Sequence, residues 1–256
     1  MLPLPLPDLP WFALAAIPLI VLLAYTVFGA TGFGSSLIGV PLLAHLLPLT
    51  FAVPFITVLD AGATTAQGVR LWRHTSWPVF RRLLPAMLVG IAIGATLLVA
   101  LPQAPLVLAL GIFISGYGMF LLLGRRKLRS VPDWLAYPIG LLAGIVSVAF
   151  GAGGPIYMVF LSARIQDKSV LRATSSLIAT VSVWIRGVVY VAAGLLLHPP
   201  LLTTALLMVP VMILGLVVGN RLHHALTGPG FMRLLALLFL GNGISLLMRA
   251  MKGLIP

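Results

Sequence analysis

Residues 27–41 read VFGATGFGSSLIGVP and interrupt an otherwise apolar run. Three glycines fall within six positions, and two serines and a proline follow them. Glycine permits backbone conformations that other residues avoid, and proline removes a backbone hydrogen-bond donor. We therefore expect the chain to depart from a helix here. The composition of the surrounding sequence decides what such a departure means.

Hydrophobic residues make up 61% of the 256 residues and charged residues only 8%, and the mean hydropathy is +1.15. Soluble domains carry roughly 25% charged residues, so this chain could not cover a surface in water. Its repeated apolar segments of about 20 residues are each long enough to cross a hydrocarbon core of ~30 Å. The sequence predicts an all-α polytopic membrane protein whose surroundings are a lipid bilayer.

The charge and the missing motifs exclude several classes of protein. A net charge of +12 would indicate nucleic-acid binding in a soluble protein, but these basic residues sit mostly in short loops between apolar segments. We therefore expect no nucleic-acid partner. The chain has no cysteine, no H-E-x-x-H sequence and no G-x-x-x-x-G-K-[ST] sequence. We expect neither enzymatic activity nor ATP hydrolysis, and neither a cofactor nor a metal site.

Ten apolar segments lie between the charged and turn-forming residues. Two of them, 36–47 and 155–163, are too short to cross a membrane at ~1.5 Å per residue, and we expect half-helices or re-entrant pieces there. The segments are 11–30, 36–47, 49–69, 80–100 and 105–124 in the first half, and 134–150, 155–163, 171–197, 201–220 and 231–250 in the second.

The distribution of lysine and arginine predicts the orientation in the membrane. The connections 101–105 and 197–200 contain neither residue and are predicted to lie outside. Both termini then lie outside as well, although Arg249 and Lys252 run against that assignment. The connections predicted to be cytoplasmic carry Arg70, Arg73, Arg81 and Arg82, then Arg125, Arg126, Lys127 and Arg129, then Arg164, Lys168 and Arg172, and a weaker fourth carries Arg221, His223 and His224.

An internal repeat relates the two halves of the sequence. PAMLVGIAIG (85–94) and PVMILGLVVG (210–219) share a P-x-M-x-x-G-x-x-x-G pattern at an offset of 125, and GFG (32–34) matches GAG (151–153) at an offset of 119. For the first pair we favour a simple packing role, because small residues at this spacing let helices approach closely. Five segments per unit mean that the second unit enters the membrane inverted, a feature typical of secondary transporters. The predicted units are residues 1–128 and 129–256.

The counterpart of the opening stretch is SVAFGAGGPIYMVF at 147–160. We call 32–34 the first break and 151–153 the second break. Irregular backbone at membrane depth is tolerated only against protein or a water-filled cavity, and a helix that restarts there points free N–H groups and its positive dipole end into that cavity. A tight kink between crossing helices is the alternative. The predicted substrate contacts are Gly32, Gly34, Ser35 and Ser36, and Gly151, Gly153 and Gly154.

Two charged residues are predicted to lie deep in the membrane, where ionisable groups are costly and usually functional. Arg186 could bind an anion through two parallel hydrogen bonds, and its counterpart in the repeat, Gln67, is a neutral donor. An ion pair with Asp60, or a side chain that reaches an interface, is the alternative for Arg186. Asp60 is a candidate for proton coupling, or for a structural role bonded to Thr57, Thr64 or another helix.

The paired motifs GFGSSLIGVP and GAGGP, with RATSSLIATVSVWIRGVVYVAAG (172–194) downstream, resemble the sulfite exporter TauE/SafE family of membrane permeases. The resemblance covers roughly residues 15–250. It implies a transporter of sulfur-containing or organic anions such as sulfite, sulfoacetate or other sulfonates, usually assigned as export, in the bacterial inner membrane. It also implies a basic residue near Arg186. The family often has a third glycine where this chain has Ser35.

The sequence therefore favours a secondary transporter of a small anion that works by alternating access, with proton coupling as a hypothesis. The alternative is a cation or metabolite permease that uses Asp60 as the counter-charge. Arg186 discriminates between the two, because a cation site would not keep an unpaired arginine at the same depth. The sequence leaves open which anion moves, in which direction, and whether the chain forms a homodimer.

Overall fold

The computed structural model describes residues 11–31, 34–123, 131–197, 199–222 and 229–254. Within these ranges every element of secondary structure is a helix. Gly32 and the basic residues Arg125, Arg126, Lys127 and Arg129 lie outside this part of the chain. The helices are α1 (Trp11–Thr31), α2 (Ser35–Leu43), α3 (Leu49–Leu71), α4 (Trp77–Ala100), α5 (Gln103–Leu122), α6 (Ala136–Phe150), α7 (Gly154–Arg164), α8 (Lys168–Ala192), α9 (Pro199–Arg221) and α10 (Pro229–Leu254), with short 3₁₀ turns at Trp72–His74 and Asp133–Leu135.

Six helical stretches in the described part of the chain are long and apolar enough to cross a membrane. Large apolar side chains cover their outer surfaces, as on a protein in contact with lipid; Leu206 is 72% exposed, for example. The prediction of an all-α polytopic membrane protein is confirmed. The six stretches are Trp77–Ala100, Gln103–Leu122, Asp133–Phe150, Ser169–Ala192, Pro199–Arg221 and Arg233–Met251, and shorter apolar stretches cover Ala15–Ala30 and Leu49–Thr65.

The helices end and restart on either side of both predicted breaks, α1 at Thr31 and α2 at Ser35, and α6 at Phe150 and α7 at Gly154, and each restarting helix is short. Helix α2 has nine residues and α7 has eleven, which is about 14 Å and 17 Å at ~1.5 Å per residue, so neither crosses a ~30 Å core. Gly34 before α2 has φ +101°, and Gly151 after α6 has φ +71°. Both values lie in the left-handed region that favours glycine. The glycines therefore allow the backbone to leave one helix and start the next.

The helices pack in four main pairs, which are α1 with α9, α4 with α6, α3 with α8, and α5 with α10. The first two pairs meet at the glycines of the P-x-M-x-x-G-x-x-x-G sequences. At each of these glycines an added Cβ would lie within 3 Å of a backbone oxygen of the neighbouring helix, which confirms the packing role. The contacts are Gly90 with Leu141 and Gly94 with Ile145 for α4 on α6, and Gly215 with Leu22 and Gly219 with Thr26 for α9 on α1.

The four helix pairs are symmetric between the two predicted repeats. If each helix of α1–α5 is replaced by its counterpart in α6–α10, and the reverse, the same set of pairs results. The α1·α9 pair then becomes the α6·α4 pair, and the α3·α8 and α5·α10 pairs become themselves. Within α5·α10, Gly118 meets Leu240 and Gly243 meets Ser115, and an offset of 125 turns one contact into the other. The pairing supports a repeat, while its inversion stays a prediction.

Polar contacts connect helix ends in two separate places. Asp133, just before α6, forms ion pairs with Arg82 of α4 and Arg164 at the end of α7. These basic ends are the ones that the positive-inside rule assigns to the cytoplasm. At the second place, Arg249 of α10 donates from Nη1 to the Ala44 carbonyl at the end of α2 (2.7 Å). Arg249 thus has a structural partner, which explains a basic residue on the side predicted to be outside.

Candidate functional site: a polar cavity between two broken helices

The two breaks face each other across one small cavity. A Cβ added at Gly151 would lie 2.8 Å from Ser36 Oγ and 3.4 Å from Arg186 Nη1, so the backbone of the second break touches the start of α2. The start of α2, the middle of α3, the end of α6, the start of α7 and one face of α8 enclose a cavity of about 70 Å³. That volume is sufficient for a few water molecules or one small anion.

Most of the predicted substrate residues line this cavity together. Gly153 instead packs against α6, because a Cβ there would lie 2.4 Å from the Ala143 carbonyl oxygen. Gln67 belongs to α3, but the structure does not describe its side chain. The predicted residues among those that line the cavity are Gly34, Ser35, Ser36, Gly151, Gly154 and Arg186, and Asp60 lines it as well.

Helices α2 and α7 both begin at the cavity wall. Within the described residues, no side chain caps either helix start. The first N–H groups of a helix have no partner inside the helix, and they carry the positive end of its dipole. At the start of α7, Ile156 and Tyr157 donate their N–H groups to the Gly153 carbonyl (3.1 and 3.3 Å) and Pro155 has no N–H, which leaves the Gly154 N–H at this helix end. Two positive helix ends therefore converge on one polar space.

Asp60 is buried in α3 and accepts three hydrogen bonds from hydroxyl groups. Its Oδ1 accepts from Tyr25 Oη (2.8 Å) and Ser35 Oγ (2.6 Å), and its Oδ2 accepts from Ser36 Oγ (2.8 Å). A serine has one hydroxyl hydrogen. While Asp60 holds both serines in this way, neither of them can donate to a ligand.

The hydroxyl groups proposed as alternative partners of Asp60 bond elsewhere. Thr57 Oγ1 donates to the Val53 carbonyl (2.9 Å), and Thr64 Oγ1 donates to the backbone carbonyl of Asp60 (2.8 Å). The hydrogen bonds to the carboxylate come instead from residues of α1 and α2. The sequence had offered a bond to another helix as one structural role for Asp60.

Arg186 is 2% exposed and is held from two sides. Its Nη1 donates to the Ser147 carbonyl at the end of α6 (2.7 Å), and its Nη2 lies 4.0 Å from Asp60 Oδ2. Its Nε has no hydrogen-bond partner among the described residues. The ion pair that the sequence offered as an alternative is therefore present, and the guanidinium lines the cavity as well.

Sequence reasoning missed three residues at this site. Tyr25 and Tyr157 were not singled out, and Ser182, whose Oγ lies 2.8 Å from Ser147 Oγ, was also missed. Tyr157 sits three residues after the start of α7, and Ser182 sits one helical turn before Arg186. Their positions on the same helix faces as the predicted residues were the available signal. No group of three or more metal-ligating side chains occurs among the described residues.

The fold and the site together define a class of protein: a helical membrane protein with two broken helices facing a buried charge pair has the construction of a membrane transporter. Comparison with known proteins gives the family. The model of the "Sulfite exporter TauE/SafE" family matches residues 17–246, and the chain belongs to this family.

A curated relative supports the same class. The "Probable inner membrane transporter protein TsaS" of Comamonas testosteroni is 29% identical over 192 residues, which cover 75% of this chain and 80% of the relative. No solved structure matches the chain significantly. The apolar helices and the inner-membrane relative identify the chain as an integral protein of the bacterial inner membrane.

Proposed function

We propose that this protein is a secondary transporter of small sulfur-containing or organic anions, such as sulfite, sulfoacetate or other sulfonates, and that it works by alternating access. The observation that carries the proposal is that α2 and α7 both begin, uncapped by any described side chain, at a cavity that Arg186 lines. Free N–H groups, two positive dipole ends and a guanidinium all attract an anion.

The surroundings of Asp60 disfavour the alternative of a cation permease. Both carboxylate oxygens already accept hydroxyl hydrogens, and Oδ2 also faces Arg186. Hard cations bind oxygen atoms that are free to coordinate them. A cation in this cavity would have to displace these donors while it stayed close to the positive charge of Arg186.

We propose that Asp60 couples anion binding to a proton. A proton on Asp60 removes the negative charge that faces Arg186, so the guanidinium becomes free to pair with a substrate anion. A protonated carboxyl is also a hydrogen-bond donor, so it can donate to Ser35 or Ser36 and leave that hydroxyl hydrogen for the substrate. The anion would then bind when Asp60 is protonated, so that proton and anion are carried together.

Access to the cavity is proposed to run along α8. The cavity-facing residues Arg186, Ser182, Ala179 and Ser175 follow one another at helical spacing, and their exposure rises from buried at Arg186 to partly exposed at Ser175. Arg172, one turn further toward the basic end, is exposed. These observations support a conformation open toward the cytoplasm. In inverted-repeat transporters the opposite conformation arises when the two repeats exchange roles, and we propose that here.

Thermal unfolding of the purified protein tests the proposed function. Sulfite, thiosulfate, sulfoacetate, taurine and sulfate are added in turn, and a ligand that binds only the folded state must raise the melting temperature. We expect at least one anion to stabilise the wild type and Arg249→Gln, and to leave Arg186→Gln unchanged. Arg249→Gln is the matched control, because Arg249 contacts the far end of α2. Stabilisation by cations but by none of these anions would overturn the proposal.

A further inference from the structure

Nearly all hydroxyl groups around the cavity already donate to a protein acceptor. Ser35 and Ser36 donate to Asp60, and Ser147 and Ser182 bond to each other. The two remaining ones follow the same rule: Thr64 donates to the Asp60 carbonyl (2.8 Å) and Ser175 donates to the Arg172 carbonyl (3.0 Å). Five of these six groups have no hydroxyl hydrogen left for a substrate unless the network rearranges. The exception is whichever of Ser147 and Ser182 accepts in their mutual hydrogen bond, because that hydroxyl keeps its own hydrogen.

Tyr157 differs from these residues. Its side chain is buried and lines the cavity, yet the described residues provide no hydrogen-bond partner for its hydroxyl group. The two other buried tyrosines near the site are both bonded, Tyr25 to Asp60 (2.8 Å) and Tyr190 to the Val148 carbonyl (2.5 Å). The Tyr157 oxygen is not fully enclosed, since the fully buried side-chain atoms without a partner among the described residues belong to Thr75, Ser115 and Arg186. The hydroxyl therefore opens onto the cavity, where a ligand can supply its acceptor.

The position of Tyr157 directs its hydroxyl group to the start of α7. Helical side chains point back toward the N-terminus of their helix, and a Cβ added at Gly154 would lie 3.6 Å from Tyr157 Oη. The phenol therefore lies over the first residue of α7, whose side-chain space is empty because that residue is glycine. Tyr157, Gly154 at the helix start and the guanidinium of Arg186 line the same cavity.

We propose that Tyr157 is a substrate-binding residue that donates its phenolic O–H to one oxygen of the transported oxyanion and selects it over spherical anions such as chloride. The proposal rests on the proposed function. A sulfite or sulfonate group has three oxygens: two can accept from an arginine, and the third can accept from Tyr157. A single halide atom cannot occupy both acceptor positions. Because the phenol is neutral, its loss weakens selectivity while the positive charge at the site stays the same.

The test compares Tyr157→Phe with Tyr190→Phe, which removes another buried phenol, one whose hydroxyl group donates to the Val148 carbonyl. Binding of sulfite and of chloride to the purified full-length protein is measured by calorimetry, together with the melting temperature without ligand. We expect Tyr157→Phe to weaken sulfite binding about tenfold or more and to change chloride binding much less. Tyr190→Phe should lower the melting temperature and leave the ratio of the two affinities unchanged.

Each outcome separates this proposal from the proposed function. If the wild type binds sulfite, Arg186→Gln does not, and Tyr157→Phe binds sulfite as tightly as the wild type, the role of Tyr157 is wrong and the transporter assignment stands. An equal loss of sulfite and chloride binding in Tyr157→Phe would show a structural role and would also overturn the proposal. If the wild type binds none of the anions in the thermal panel, the proposed function itself is wrong.

Discussion

Arg186 Nη2 lies 4.0 Å from Asp60 Oδ2, so the two charges that α8 and α3 carry into the membrane face each other where the two broken helices meet. Each charge also has a neutral partner, since Arg186 donates to the Ser147 carbonyl and Asp60 accepts from Ser36. A buried charge that loses its partner is strongly destabilising. A change at either residue therefore affects both. The effect of a single variant can be interpreted only beside the double variant that removes both charges.

Replacing Arg186 by glutamine should abolish anion binding and also destabilise the fold. The substitution leaves the Asp60 carboxylate without its counter-charge, which costs about 3–5 kcal/mol in buried pairs. The double variant Asp60→Asn with Arg186→Gln removes both charges and should recover much of that stability without recovering transport. Unfolding of the four proteins in a double-mutant cycle measures the coupling. Retained transport with unchanged apparent affinity in Arg186→Gln would contradict the binding role.

Replacing Asp60 by asparagine should uncouple transport from a pH gradient. Asparagine keeps the shape and can still accept from Tyr25 or a serine, but it carries no charge and no transferable proton. In proteoliposomes we expect anion exchange to continue, while a pH gradient no longer drives accumulation. Asp133→Asn is the control, because Asp133 belongs to the ion pairs with Arg82 and Arg164 at the helix ends and should leave coupling intact. Gradient-driven uptake by Asp60→Asn would refute the coupling role.

Cysteine labelling along α8 should report the open side of the cavity. The natural chain contains no cysteine, so single substitutions need no altered background. A membrane-impermeant maleimide should reach Ser175→Cys faster than Ser182→Cys from the cytoplasmic side of oriented vesicles, because Ser175 is partly exposed and Ser182 is buried. Val188→Cys, 67% exposed on the outer surface of the same helix, should stay unreactive, because a thiol in hydrocarbon does not form the reactive thiolate. Faster labelling from the opposite side would reverse the assigned opening.

The sequence was sufficient to single out the two breaks and the two charged residues in the membrane, while the ion pair between those residues was only the alternative to a substrate contact. Glycines and charges are conspicuous in an apolar chain, because the membrane makes each of them costly unless it has a local purpose. Gly34 and Gly151 could thus be read as backbone positions, and Asp60 and Arg186 as functional candidates, before any contact between them was known.

Residues that depend on tertiary packing could not be predicted in the same way. Tyr25 reaches Asp60 from a different helix, and its sequence neighbourhood does not distinguish it from a tyrosine that packs against lipid. The bonds from Ser35 and Ser36 to Asp60 likewise depend on how α2 docks on α3. Gly153 looked equivalent to Gly151 in the motif, but one packs on α6 and the other faces the cavity.

Replacing Gly151 by alanine should impair both folding and anion binding, and Gly194→Ala separates the two causes. Both glycines are left-handed, with φ +71° and +74°, so alanine costs roughly 1–2 kcal/mol of backbone strain at either position. Only at Gly151 would the new methyl group meet other atoms, Ser36 Oγ at 2.8 Å and Arg186 Nη1 at 3.4 Å, whereas nothing lies within 4 Å of a Cβ at Gly194. We expect Gly194→Ala to lower the melting temperature slightly with normal anion affinity, and Gly151→Ala to lower both. Equal effects of the two variants would mean that the contact between the second break and the start of α2 plays no part in binding.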